Sequence, residues 1–272
     1  MRGSSATSLA AARERLAPEV ARAGIDALGF SEQLFALLDA LDSSPALGRT
    51  LTDPTRPANS KVAVAKAVAA AADPVVVETF AGLAQSRWSA TDDLADAVES
   101  LAFHAALASA AAQDALGRVE EELFQLIRAL RPEPQLLRAL TDSDSPPEAR
   151  LRLVDSLLGG ATDPITKFIA RRATLTPRGR KYLDILDSLA NLIAEQRGVL
   201  PATVTAASDL TQGQRERLTS LLEAAYGCTI ALFVDIEPDV VGGIRVQVGS
   251  DVIDSTVLAS LYQARRRLQG IK

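Results

Sequence analysis

From about Ser8 to Arg197, apolar residues recur at three- and four-residue spacing, as at Leu34, Leu37, Leu38 and Leu41. That period predicts amphipathic helices, and abundant alanine adds intrinsic helix propensity. The breaks fall where helices should stop. Asp42-Ser43-Ser44-Pro45 closes one, Asp53-Pro54 and Arg56-Pro57 close another, and Asp73-Pro74 opens a third with proline at its first position. Between breaks the segments run about 12 to 20 residues, the length of bundle helices.

After Gly198 the period changes. Ala202, Val204 and Ala206 alternate with Thr203 and Thr205, a strand pattern. Thr211-Gln212-Gly213-Gln214 has capping-box spacing, and Leu218, Leu221, Leu222 and Ala225 then form one stripe of a helix. Alternation resumes through Ile230, Leu232, Val234 and Ile236, and again through Ile244, Val246 and Val248. A turn is expected at Gly249-Ser250-Asp251, and Asp254 or Ser255 should cap a last helix carrying Val257, Leu261, Ala264 and Leu268. The expected fold class is mostly α: a helical bundle, duplicated, followed by a small α/β domain in the order strand, helix, strand, hairpin, helix.

The duplication is read from an internal repeat. Residues 43–68 align with 132–157 at an offset of 89, with identities at Pro45/Pro134, Leu47/Leu136, Arg49/Arg138, Leu51/Leu140, Thr52/Thr141, Asp53/Asp142 and Pro57/Pro146. Asp73-Pro74 and Asp163-Pro164 follow at 90, and Leu94, Val98 and Leu101 match Ile185, Leu189 and Leu192 at 91. The domains expected are therefore 1–110 for one copy, 91–197 for a second sharing the helix around 91–117, and 198–272 for the α/β part.

Composition narrows the chemistry. The 272 residues are 47% hydrophobic, with 29 basic and 34 acidic side chains and a net charge of -5, so no basic footprint for nucleic acid appears. The longest uncharged run, Ser100 to Gln113, falls short of the ~20 apolar residues a membrane span needs. The N-terminus lacks the apolar core of a secretory signal, and a lone Cys228 forms no internal disulfide, so a cytoplasmic setting is expected. His104, the single histidine, sits mid-helix and reads as a structural residue rather than a base. Cys228 opens an apolar strand and reads as an inert thiol. One Cys and one His assemble no zinc site. Asp251 and Asp254 fit a turn and a cap, Glu120-Glu121-Glu122 the acidic start of a helix, and Arg265-Arg266-Arg267 the solvated side of the last helix. No phosphate-binding or nucleophile-elbow motif occurs. Neither a catalytic residue, a metal nor a cofactor is expected.

The stretch GGIRVQVGSDVIDSTVLASLYQARRRL, residues 242–268, resembles the ending of the δ subunit of bacterial F-type ATP synthase, the family of the mitochondrial oligomycin-sensitivity-conferring protein. Gly242 and Gly243 precede the strand, and Gly249, Asp251, Ile253, Asp254, Ser255, Leu258 and Leu261 occupy the family's hairpin and helix positions. Ser250 separates Gly249 from Asp251 where many members have the two adjacent. Residues 165–227 and both copies of the helical repeat are also similar to the family, although typical members carry one helical domain.

The resemblance implies a non-catalytic stator at the cytoplasmic face of the bacterial plasma membrane, peripheral and without membrane insertion. Its helical bundle would bind the N-terminal helix of a catalytic-head α subunit in a groove between its first and fifth helices. Here those are near Leu9, Leu16, Val20 and Ile25, and near Val77, Phe80, Ala81 and Ala84. The α/β domain would hold the peripheral-stalk b subunits, with Arg265, Arg266 and Arg267 as candidate contacts. The second copy is either another docking surface or a rigid spacer. A freestanding helical adaptor with an α/β dimerisation tail is the alternative reading of the whole chain.

Overall fold

The computed structural model describes residues 3–142, 144–175, 177–197, 199–226, 229–236, 243–248 and 251–254. The chain divides into two compact units, Met1–Ala190 and Asn191–Lys272. The first is helical: α1 Ser4–Ala23, a 3-10 turn Gly24–Asp26, α2 Ala27–Ser43, α3 Pro45–Thr52, α4 Ala58–Val68, α5 Pro74–Gln85 and α6 Thr91–Ala112. It continues with α7 Leu116–Leu130, α8 Pro134–Thr141, α9 Pro147–Leu158, α10 Pro164–Leu175 and α11 Tyr182–Gln196, the last of which runs past the division.

Proline opens α3, α5, α8, α9 and α10, where its missing N–H has no intrahelical partner to lose. At α5 the Asp73 carboxylate accepts the Val75 N–H at 2.8 Å, and at α10 Asp163 accepts from Ile165 at 2.8 Å. The centre of the unit is α6. Leu94, Ala97, Val98, Leu101, Ala102, Ala105, Ala106, Leu107 and Ala110 are all buried, so its apolar surface wraps the helix rather than forming one stripe. It packs against α1, α2, α3 and α5 on one side of the sequence and α7 and α10 on the other. The many alanines are what let so many helices approach one axis.

The two helical series run in step. Starts at Pro45 and Pro134 differ by 89, those at Pro74 and Pro164 by 90, and those at Thr91 and Tyr182 by 91. Contacts follow the same offsets. Gln33 of α2 accepts the Asp73 N–H at 2.6 Å, and Glu122 of α7 accepts the Asp163 N–H at 3.0 Å. Lys61 of α4 and Arg150 of α9 are both buried, the latter donating to the Thr174 carbonyl at 2.9 Å.

Glu122 departs from the expected role of an acidic helix start, because α7 begins at Leu116 and places it in the second turn. Burial alone would raise its pKa. The Thr166 hydroxyl at 2.6 Å, Arg118 at 3.0 Å and the Asp163 N–H outweigh that and hold it below the usual carboxylate value. Its bonding stabilises the fold at neutral pH and is lost as pH falls through that lowered value.

The second unit holds β1 Val199–Ala206, α12 Gln212–Tyr226, β2 Thr229–Ile236, β3 Ile244–Val248 and β4 Asp251–Asp254. The sheet order is β2-β1-β3-β4, with β1 parallel to β2 and antiparallel to β3, and β3 antiparallel to β4. Ala202, Val204, Ile230, Val246 and Val248 bury one face against Leu222 of α12. The capping box is present: Gln214 accepts the Thr211 N–H at 2.9 Å, and the Thr211 hydroxyl accepts the Gln214 N–H at 3.4 Å. The predicted stripe needs correction. Leu218, Leu222 and Tyr226 face the sheet at four-residue spacing, while Leu221 is 61% exposed and Ala225 is exposed too.

Candidate functional site: a cleft between the first and fifth helices

Helices α1 and α5 pack side by side, and a cleft of about 340 Å³ runs between them. Ala12, Arg15 and Glu19 line it from α1, at successive turns of one face. Pro74, Val75, Glu78 and Thr79 line it from α5. Ala12, Pro74 and Val75 supply an apolar floor, and Arg15, Glu19 and Glu78 a charged rim. Small groups set this shape. A Cβ at Gly82 would lie 3.2 Å from an Arg15 guanidinium nitrogen, so glycine there lets the arginine lie across α5. The N-terminus of α5 is pinned by Asp73 and Gln33, which fixes the cleft's mouth. Lys66 holds Glu78 at 2.6 Å on the solvent side.

The sequence-predicted groove residues are placed differently. Leu16, Val20, Phe80, Ala81 and Ala84 are buried in the bundle core and present no surface to a partner. Leu9 and Val77 are half-buried. Ile25 lies in the 3-10 turn after α1 and is 58% exposed. None of the eight lines the cleft. Apolar periodicity marks the face turned to a helix's own bundle, whereas an outside partner meets the edge of that face. The signal that would have found the cleft is a small residue among charges, Ala12 with Arg15 and Glu19, opposite Pro74-Val75.

In the second unit Gly243 has φ +89°, a conformation that favours glycine at the entry to β3. Asp251, Ile253 and Asp254 all lie in β4, opposite Val248, Val246 and Arg245. Asp251 opens β4 and pairs with Val248, so the two strands are joined across the position of the expected turn. Gly242, Gly249, Ser255, Leu258, Leu261 and the candidate stalk contacts Arg265, Arg266 and Arg267 lie outside the described residues, as does Cys228.

Titratable chemistry is sparse. Among the described residues no group of three His, Cys, Asp or Glu could hold a metal ion, and no helix is long and apolar enough to cross a membrane. Burial pushes the His104 pKa below its ordinary 6.5, and the nearby Arg13 charge adds to the shift. The unfolded chain then takes up its proton first on acidification, so His104 makes stability fall as pH drops below about 6.5. Between pH 7.5 and 5.5, the urea midpoint of the natural protein is expected to fall further than that of His104→Gln. Equal falls would show that the imidazole is not the group responsible.

Comparison with known proteins gives these features a context. Residues 102–268 match the family model described as ATP synthase delta (OSCP) subunit. The ATP synthase subunit delta of Beutenbergia cavernae is 47% identical over 271 residues, covering 99% of this chain and 100% of that one. The proteins of the same name from Kineococcus radiotolerans and Streptomyces avermitilis are 40% and 39% identical, each over 98% of both chains. The family match begins inside α6, while these relatives extend across both helical series. With the family model spanning more than half of the sequence and relatives aligned along nearly all of it, the chain belongs to the ATP synthase delta (OSCP) subunit family.

Proposed function

We propose that this chain is the non-catalytic stator connector of an F-type ATP synthase, peripheral to the cytoplasmic face of the membrane. The observation that carries the reading is end-to-end similarity to proteins named ATP synthase subunit delta. In this reading the helical unit is a duplicated bundle, supported by offsets of 89 to 91 between matching helix starts. The cleft between α1 and α5 receives the N-terminal helix of a head α subunit, and the C-terminal unit holds the b subunits of the peripheral stalk. An apolar floor with a charged rim suits an amphipathic helix laid along it. The connector then resists rotor torque by binding two partners, with no bond made or broken.

Membranes reconstituted without the chain should retain ATP hydrolysis but lose coupled proton pumping. Undiminished pumping would overturn the stator assignment. Val75→Glu tests the cleft itself. Glutamate suits the first turn of α5, so the bundle should fold, but a carboxylate on the apolar floor should weaken binding of a peptide copying the cognate α-subunit N-terminus by tenfold or more, about 1.4 kcal/mol. Unchanged affinity by calorimetry would move the docking site elsewhere.

A further inference from the structure

The second helical series has its own first and fifth helices, α6 and α10, and what lies over them is part of the same chain. At the offset of 90 that relates α5 to α10, Glu78 corresponds to Phe168 and Gly82 to Arg172. In the first series Glu78 lines the open cleft and Gly82 sits under Arg15. In the second, both corresponding positions touch α2. The Phe35 ring meets Phe168 edge-on at 5.7 Å and Phe103 of α6 at 5.0 Å, so it is wedged between the two helices. The Arg172 guanidinium lies 4.3 Å over the same ring. It also holds Asp39, one turn further along α2, at 2.7 Å and reaches the Phe35 carbonyl.

This contact explains why α2 is apolar beyond its own bundle stripe. Leu34, Leu38 and Leu41 are buried, and Phe35 is buried as well, only 1% exposed. At the offset of 89, the counterparts of Phe35 and Asp39 on α7 are Phe124 and Arg128. Phe124 is 59% exposed, and Arg128 is exposed too. A phenylalanine at this position is thus buried where a following pair of first and fifth helices receives it.

We propose that the second cleft is closed from within by α2, with Phe35 as the plug and the Asp39–Arg172 ion pair as its clasp. Each chain therefore offers one cleft of this kind, the α1–α5 cleft, to a single amphipathic helix of the head. The second series acts at this surface as a braced extension of the first rather than as a second receptor. The statement about stoichiometry rests on the reading of the cleft as a docking site; the plug does not.

Two measurements on the full-length chain separate these points. In a chain whose single cysteine is replaced, Cys228→Ser, the variants Glu78→Cys and Phe168→Cys place thiols at corresponding positions. Maleimide should label Glu78→Cys at least tenfold faster than Phe168→Cys. Equal rates would overturn the plug. Calorimetric titration with a peptide copying the cognate α-subunit N-terminus should give one site per chain, weakened tenfold or more by Val75→Glu. Two sites, or peptide protection of Phe168→Cys, would overturn the inference. A peptide that fails to bind would sink the docking role of the cleft, and the ratio of labelling rates would still decide whether α2 covers its counterpart.

Discussion

Phe35→Ala is expected to lower the unfolding free energy of the helical unit by about 3–5 kcal/mol, the range for deleting a fully buried phenylalanine. Three losses combine. The ring leaves a void between α6 and α10 that helices anchored elsewhere cannot close. Two edge-to-face aromatic contacts disappear, each adding about 0.5–1.5 kcal/mol beyond burial in other proteins. Arg172, only 14% exposed at its side chain, loses the ring face beneath it while keeping Asp39. The control is Phe124→Ala at the matching position of α7, where exposure predicts a change within about 0.5 kcal/mol. Urea denaturation of both variants reads the contrast directly. Similar midpoints for the two would mean that Phe35 is not wedged between the series in solution.

That contrast also shows what the sequence conveyed and what it withheld. Phe35 and Phe124 occupy matching places in the repeat; α2 is apolar beyond one stripe where α7 is flanked by charges, but only the packed neighbour shows which phenylalanine is covered. Features that depend on backbone chemistry were legible. Pro74 opens a helix as expected, the Thr211–Gln214 capping box forms, and Ala202, Val204 and Ala206 face one side of a strand; Pro45, expected only to close one helix, opens the next. Features that depend on which side of an element meets a partner were not. Leu16, Val20 and Phe80, the apolar positions assigned to the groove, serve the bundle's own core, while the cleft is lined by Arg15, Glu19 and Glu78, which periodicity discards as solvated. Leu221 fits the helical stripe of α12 yet faces water, because Tyr226 completes the buried row at four-residue spacing instead. Glu122 looked like dipole compensation and is a long-range clasp, a role visible only in its alignment with Gln33.

The same divergence between matching positions places the second large effect at the segment joining α10 to α11. In the first series the corresponding segment is tied to α1 by neutral groups: Ser8 donates to the Arg87 carbonyl at 2.9 Å, and Ser5 accepts the Ser89 N–H at 2.8 Å. In the second series charges do this work. Arg180 donates to both oxygens of Glu99 at 2.6 Å, and Arg178 bridges Glu99 at 3.0 Å and Asp96 at 2.6 Å. Glu99 lies on α6 with its side chain only 5% exposed, and these two guanidinium groups are its ion-pair partners. Removing both, as Arg178→Ala with Arg180→Ala, strands a buried carboxylate and is expected to cost about 3–5 kcal/mol. Adding Glu99→Gln to the pair removes the stranded charge while keeping the shape, and should recover a large part of that loss. Urea midpoints of the double and triple variants decide it. A triple variant no more stable than the double would mean that packing, not charge, holds this segment on α6.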